Sequence, residues 1–278
     1  MRQQLITQQK GVQPEKVVSK DGTPISFWRS GQGPPLVLVH GTAADHTRWK
    51  PVLPTLEEHF TVYAIDRRGR GRSGDSREYV IEREFEDVAS VVDSIREPVD
   101  LLGHSYGALC SLEAALLTSN VKTLVLYEPP IHAGVDFYSS GTVDKLNALL
   151  DAGDRGAVVT TFMSEIAKMR PADLRLLQSN AAWEARVAAA HTIPRELRAD
   201  ENYVFDPQRF KNLTTPTLLL VGGDSPRFLK VASAAVYAAL PGAKIVAMPG
   251  QQHAAMDTGT ELFTTEVLRF LMRPEQSV

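Results

Sequence analysis

Short apolar runs separated by longer stretches of helical periodicity constrain the fold of this chain more than any other feature of its sequence. The runs are Leu36–Val39, Thr61–Ile65, Val99–Leu102, Lys122–Leu126, Thr217–Val221 and Lys244–Met248. Near-continuous apolar character over four or five residues suits strands buried on both faces, as in a parallel sheet. Helical patterns are expected at about 47–59, 83–95, 106–118, 226–239 and 259–272. Such alternation implies an α/β sheet joined by right-handed crossovers. Upstream, Lys16–Ser19 and Pro24–Trp28 flank Asp21-Gly22 and predict a hairpin at one sheet edge. The expected fold class is α/β, with a mostly parallel, doubly wound sheet of about eight strands.

The rhythm breaks between Ile131 and Leu213. No strand pattern occurs there, and helical patterns run over Val143–Leu150, Ala157–Met169 and Ala181–Ala190, punctuated by Pro171, Pro194 and Pro207. Strand character resumes at Thr217. The expected organisation is a core domain of residues 1–130 and 213–278, with a helical cap inserted as residues 131–212.

Composition narrows the function classes. The 278 residues are 43% hydrophobic and 23% charged, which suits a globular chain able to build a core without disulfides or metals. A formal charge of −3 gives no electrostatic reason to expect nucleic acid. Cys110 is the single cysteine, so no internal disulfide can form and a reducing compartment is favoured. The Gln-rich start, Met1 to Pro14, lacks the apolar core of a signal peptide, and no apolar run approaches the roughly 20 residues of a membrane helix. A cytoplasmic protein acting on a small molecule, bound to neither nucleic acid nor membrane, is expected.

Chemistry concentrates in Gly103-His104-Ser105-Tyr106-Gly107. This G-x-S-x-G segment follows a predicted strand and opens a predicted helix, the context of a nucleophile elbow. The glycines suit a tight, strained turn, and the helix N-terminus behind Ser105 favours developing negative charge. Ser105 would then stand at the carboxyl end of the sheet, where open α/β folds bind ligands. A serine hydroxyl is a weak nucleophile at neutral pH and needs a base.

Four segments, in this order, make the chain resemble the α/β-hydrolase superfamily over essentially its whole length. They are His40-Gly41, Asp66-Arg-Arg-Gly-Arg-Gly-Arg-Ser73, the elbow, and Gly250-Gln-Gln-His253. The resemblance implies His253 as general base, from among seven histidines. His104 is expected to pack beside the elbow, and His40 to orient its own loop. The triad acid is expected in chain order between serine and histidine. Asp224, following a strand through Gly222-Gly223, matches the superfamily's usual position, although Asp224-Ser225-Pro226 is also a good helix start. Glu128, in Tyr127-Glu128-Pro129-Pro130, is the alternative, because some members carry the acid after the preceding strand. Oxyanion donors are implied at the backbone amides of Tyr106 and Thr42.

Other patterns are discounted. Gly69-Arg-Gly-Arg-Ser-Gly74 spells a dinucleotide fingerprint, but the next helical pattern begins only near Arg83. Arg67, Arg68, Arg70 and Arg72 are expected to pair with carboxylates rather than to bind phosphate. No set of His, Cys, Asp and Glu has metal-ligand spacing, so neither metal nor cofactor is expected. Cys110 is expected in the core.

The activity these residues imply is hydrolysis of an ester or related acyl compound through an acyl-enzyme. The same triad serves carbon–carbon bond hydrolases and lyases, although His104 and Ala254 replace the Asn and the Trp or Lys those enzymes often carry. A non-catalytic ligand receptor on the same fold is the alternative outside enzymes.

Overall fold

The computed structural model describes residues 13–135, 137–179 and 182–272. Most of the Gln-rich start and the first residue of the helix expected from Ala181 lie outside them. Eight strands form one sheet: β1 (Glu15–Val18), β2 (Pro24–Gly31), β3 (Pro35–Val39), β4 (Thr61–Asp66), β5 (Val99–His104), β6 (Val121–Tyr127), β7 (Thr217–Gly222) and β8 (Lys244–Met248). Their order is β1-β2-β4-β3-β5-β6-β7-β8. The β1–β2 and β2–β4 pairs are antiparallel and the remainder parallel. At the expected hairpin, Gly22 adopts φ 86° and the Asp21 carboxylate accepts the Thr23 N–H at 3.0 Å.

The central strands divide their side chains between two cores by simple alternation. Val37, Val39, Leu101, Leu124, Leu126 and Leu219 face one side. Leu36, Leu38, Leu102, Val125, Leu218 and Leu220 face the other. Burial on both faces is why these strands read as continuous apolar runs. β8 departs from that expectation. It is the edge strand, Ile245 is 40% exposed, and only Met248 is buried.

Helices cover both faces. The first core receives α2 (Ile81–Ser94), α3 (Tyr106–Ala114) and α9 (Arg227–Ala239). The second receives α1 (Leu53–Glu57), α10 (Ala255–Thr258) and α11 (Thr260–Leu271). The expected helix 47–59 is split into a 3₁₀ turn, His46–Trp49, and α1, whose Pro54 fits the first turn. In α2, Ile81, Phe85, Val88 and Val92 form an i, i+4, i+7, i+11 stripe on the core, with Glu84 and Asp87 buried beside it.

Between β6 and β7 the described chain is helical: α4 (Thr142–Asp151), α5 (Arg155–Thr161), α6 (Pro171–Gln178), α7 (Ala182–Ala188) and α8 (Thr192–Asn202). The helix expected to run to Met169 instead passes from α5 into a π turn at Phe162–Ile166, where the Ala167 N–H donates to the Phe162 carbonyl at 2.9 Å. These helices have an apolar cluster of their own, including Val143, Leu146, Val158, Val159, Ile193 and Leu197. No helix among the described residues is long and apolar enough to cross a membrane.

The arginine-rich loop joins this helical segment to the sheet. Arg67 donates to both Glu84 oxygens at 2.9 Å, and Arg68 to both Asp87 oxygens at 2.7 Å. Glu196 of α8 accepts from Arg67 and Arg70. All six side chains are almost fully buried. Burial alone would raise the Glu84 pKa, but Arg67 and Arg70 outweigh it and hold the carboxyl down to about 2. The glycines of this loop open no helix, because α2 begins only at Ile81.

Removing one partner of a buried ion network leaves the others charged and uncompensated. Glu196→Ala is therefore expected to cost about 3–5 kcal/mol, measured by denaturant unfolding. Amide exchange should quicken first in α8. A loss below about 1 kcal/mol would show that the network behaves like a surface ion pair.

Candidate active site

β5 runs straight into α3, and the single residue between them is Ser105, at φ 55° and ψ −128°. A non-glycine residue in that conformation is strained, and strain of this kind is held only where the surroundings fix it. Here the fixing is tight. The Ser105 N–H donates to the Tyr127 carbonyl at 2.8 Å, and the Ser105 carbonyl accepts from Ala108 at 2.7 Å. A Cβ on Gly107 would strike the carbonyl oxygens of Val39 and His40, and one on Gly103 would strike Gly107 and Ala108. Those two glycines let helix and strands approach closely enough to push Ser105 out of the turn.

Ser105 lines a cavity of about 160 Å³ together with Gly41, Thr42, Tyr106 and His253. The cavity wall is largely apolar and comes from both the sheet and the helical segment, through Phe137, Phe162, Met163, Ile166, Leu197 and Leu229. Of the seven histidines in the sequence, only His104 and His253 line it.

The His253 ring donates from Nδ1 to Glu128 Oε2 at 2.5 Å. Glu128 follows the last residue of β6, sits at φ 49°, and is completely buried. Its other oxygen accepts the Gly222 N–H at 2.8 Å, and its own N–H donates to Leu220 at 3.2 Å. Glu128 is thus clamped between β6 and β7 with one oxygen turned to the histidine.

The expectation that Asp224 would meet His253 is overturned. Asp224 is solvent-exposed, and it meets the histidine loop through its main chain. Its N–H donates to the Gln251 carbonyl at 2.9 Å, and its carbonyl accepts Gln252 Nε2 at 3.1 Å. The physical reason is the adjacency of β6 and β7. Both strands end beneath the histidine loop, and the longer glutamate reaches the ring from the inner of the two. Asp224 keeps the turn that precedes α9, close to its other expected role.

The flanking residues hold these groups in place. The Tyr127 hydroxyl donates to the Gln252 carbonyl and accepts the Ala255 N–H at 3.2 Å, bracketing His253. His104 Nε2 donates to the His253 carbonyl at 2.8 Å, and burial holds the His104 pKa well below the usual value, so the ring is neutral. His104 therefore braces the main chain of His253 as well as packing beside the elbow, a contact adjacency to Ser105 did not reveal. His40 fixes its own loop as expected: Nδ1 donates to the Gly41 carbonyl at 2.8 Å, and Nε2 accepts the Arg67 N–H at 3.1 Å. Full burial and the neighbouring Arg67 and Arg70 push its pKa down as well.

Thr42 and Tyr106 line the same cavity as Ser105. Tyr106 opens α3, so its N–H has no intrahelical partner. Three of the remaining histidines bond elsewhere. His132 pairs with Asp200 at 3.2 Å, and Arg155 donates to His191 at 3.0 Å. His46 bonds Asp66 at 2.6 Å. With Asp45 these two form a trio whose ligand atoms lie within 4.8 Å of one another, which sequence spacing did not suggest. Asp66 is already occupied there, accepting from the His46 and Arg72 amides and from Trp28 Nε1.

A family model described as the alpha/beta hydrolase family matches residues 36–265, spanning the sheet from β3 to α11. The chain belongs to that family. Among solved structures it is similar to an alpha/beta hydrolase from Sphaerobacter thermophilus, with TM-score 0.77 and 36% identity over 90% of this chain and all of that one. It is also similar to an esterase from a Rhodococcus species, with TM-score 0.77 and 27% identity over 93% of this chain and 98% of that one. Among curated proteins, 2-(acetamidomethylene)succinate hydrolase of Mesorhizobium japonicum is 24% identical over 87% of this chain and 89% of its own.

Proposed function

We propose that the protein hydrolyses an ester or related acyl compound through an acyl-enzyme, with Ser105 as nucleophile, His253 as general base and Glu128 as the acid. The carrying observation is the hydrogen bond from buried Glu128 to His253, which lines the same cavity as Ser105. Because Nδ1 donates to a carboxylate, Nε2 is the ring nitrogen left to take the serine proton. The buried negative charge of Glu128 then stabilises the imidazolium as it forms. The Thr42 and Tyr106 amides hold the oxyanion, each contributing about 10²–10³ in rate. His253 returns its proton to the leaving group, and water repeats the sequence to release the acid.

The helical segment, residues 131–212 of the expected cap, supplies much of the apolar wall and so selects the substrate. The substrate is a small molecule, and the chemistry needs no cofactor. A cytoplasmic setting belongs to the same reading, in keeping with a free Cys110 buried in the core.

A fluorophosphonate probe tests the proposal. Wild-type protein is expected to be labelled, with the adduct mapped by peptide mass spectrometry to Ser105, and to turn over a panel of activated esters and thioesters. A folded wild type that takes no label would sink the hydrolase reading and favour the non-catalytic receptor.

A further inference from the structure

We propose that the substrate carries a carboxylate and that Arg186, on α7, binds it. The proposal deepens the hydrolase reading and rests on Ser105 being the nucleophile of the same cavity.

Three cationic side chains line that cavity among the described residues: Arg48, Arg170 and Arg186. Two are neutralised locally. Arg48 Nη1 lies 2.6 Å from Asp257 Oδ2, and Arg170 Nε lies 2.7 Å from Asp173 Oδ2. Arg186 is different. It is 94% buried by virtue of its 6% exposure, and it has no ion pair within 4.0 Å among the described residues. Among the described residues its one hydrogen bond runs from Nη1 to the Ala43 carbonyl at 2.6 Å, and its Nε has no partner.

A guanidinium presents Nε and Nη2 along one edge, a fork that matches the two oxygens of a carboxylate. In Arg186, Nη1 is spent on Ala43 while Nε, on that edge, has no partner among the described residues. An uncompensated buried charge is costly, and proteins keep one where a ligand compensates it. Burial and the nearby Arg48 hold the Arg186 pKa down to about 10, so the group remains cationic at neutral pH.

Much of the remaining wall is apolar, which fits a ligand with a hydrocarbon body between the scissile carbonyl and an anionic end. The acids that also line it, Asp173, Asp200 and Asp257, are paired with Arg170, His132 and Arg48. Arg186 also touches the loop that carries Thr42, since Ala43 is the next residue. A purely structural role would consist of that one bond to the Ala43 carbonyl, and the test must separate the two.

The test compares p-nitrophenyl hydrogen glutarate with p-nitrophenyl valerate on the full chain. The two esters differ by a terminal carboxylate against a terminal methyl. Wild type is expected to prefer the glutarate, and Arg186→Gln should lower the ratio of the two kcat/KM values about 30-fold, mainly through KM. Arg186→Lys keeps a charge without the fork and should recover part of that ratio. A ratio unchanged within about threefold in the Gln variant overturns the proposal, because loss of the Ala43 contact alone would slow both esters together. Calorimetric titration with glutarate reads binding without turnover. Wild-type binding that weakens about 30-fold in Arg186→Gln supports the site even where neither ester is cleaved. Wild-type protein that cleaves the valerate but neither binds glutarate nor prefers its ester would overturn the carboxylate site and leave the hydrolase reading standing.

Discussion

Ser105→Ala is expected to lower kcat on any ester the wild type cleaves by about 10⁶-fold, and His253→Ala by a similar factor. The two losses should not add. A nucleophile and its base act as one unit, so the Ser105→Ala/His253→Ala double variant should be no slower than either single one. What activity survives comes from substrate binding and the oxyanion amides, a residual of about 10³–10⁴ over water. The structure makes Ser105→Ala a clean experiment. The strained φ of 55° is imposed by main-chain bonds to Tyr127 and Ala108, and alanine retains both. Thermal unfolding should therefore stay near that of the wild type. Independent, multiplicative losses in the two single variants would mean that His253 does not activate Ser105.

The second large effect separates the two candidate acids. Glu128→Gln is expected to lower kcat by about 10⁴-fold, whereas Asp224→Asn should leave it within about threefold. The argument for Glu128 is geometric. Its Oε1 accepts the Gly222 N–H at 2.8 Å. In the glutamine variant that N–H still demands an oxygen, which turns the amide NH₂ toward His253. Nδ1 must then accept rather than donate, and the proton moves to Nε2, where it blocks removal of the serine proton. The ring stays in place in the wrong tautomer. Steady-state kinetics of the two variants, with circular dichroism as a check on folding, decides the assignment. A large loss in Asp224→Asn with a small one in Glu128→Gln would restore the acid that sequence position favoured.

That contrast marks where the sequence stops being informative. The elbow was legible because its constraint is local: a five-residue stretch must let a strand meet a helix, and only glycines allow that approach. The central strands were legible because burial on both faces writes itself as an unbroken apolar run. β8 misled for the same reason read backwards, since an apolar run says nothing of which strand is last in the sheet. The arginine loop was legible in kind, as carboxylate-paired, but not in its partners. Glu196 lies 129 positions from Arg67, and no short-range pattern connects them.

The carboxylate that meets His253 belongs with the features that only tertiary structure decides. Asp224 and Glu128 each follow a strand, and each lies between serine and histidine in chain order. The choice depends on which carboxylate the histidine loop folds over, a question of side-chain reach between adjacent strands. The unpaired Arg186 is a decision of the same kind, because a lone arginine in a helical pattern looks like a solvated charge until its surroundings are known. The sequence by itself determined the sheet and the strand–turn–helix that carries Ser105, because each is written in contiguous residues under local steric and hydrophobic constraint. The carboxylate partner of His253, the His104 contact to its carbonyl and the charge of the pocket were decided only when distant segments met, because electrostatic partnership follows distance in space and leaves no period in the chain.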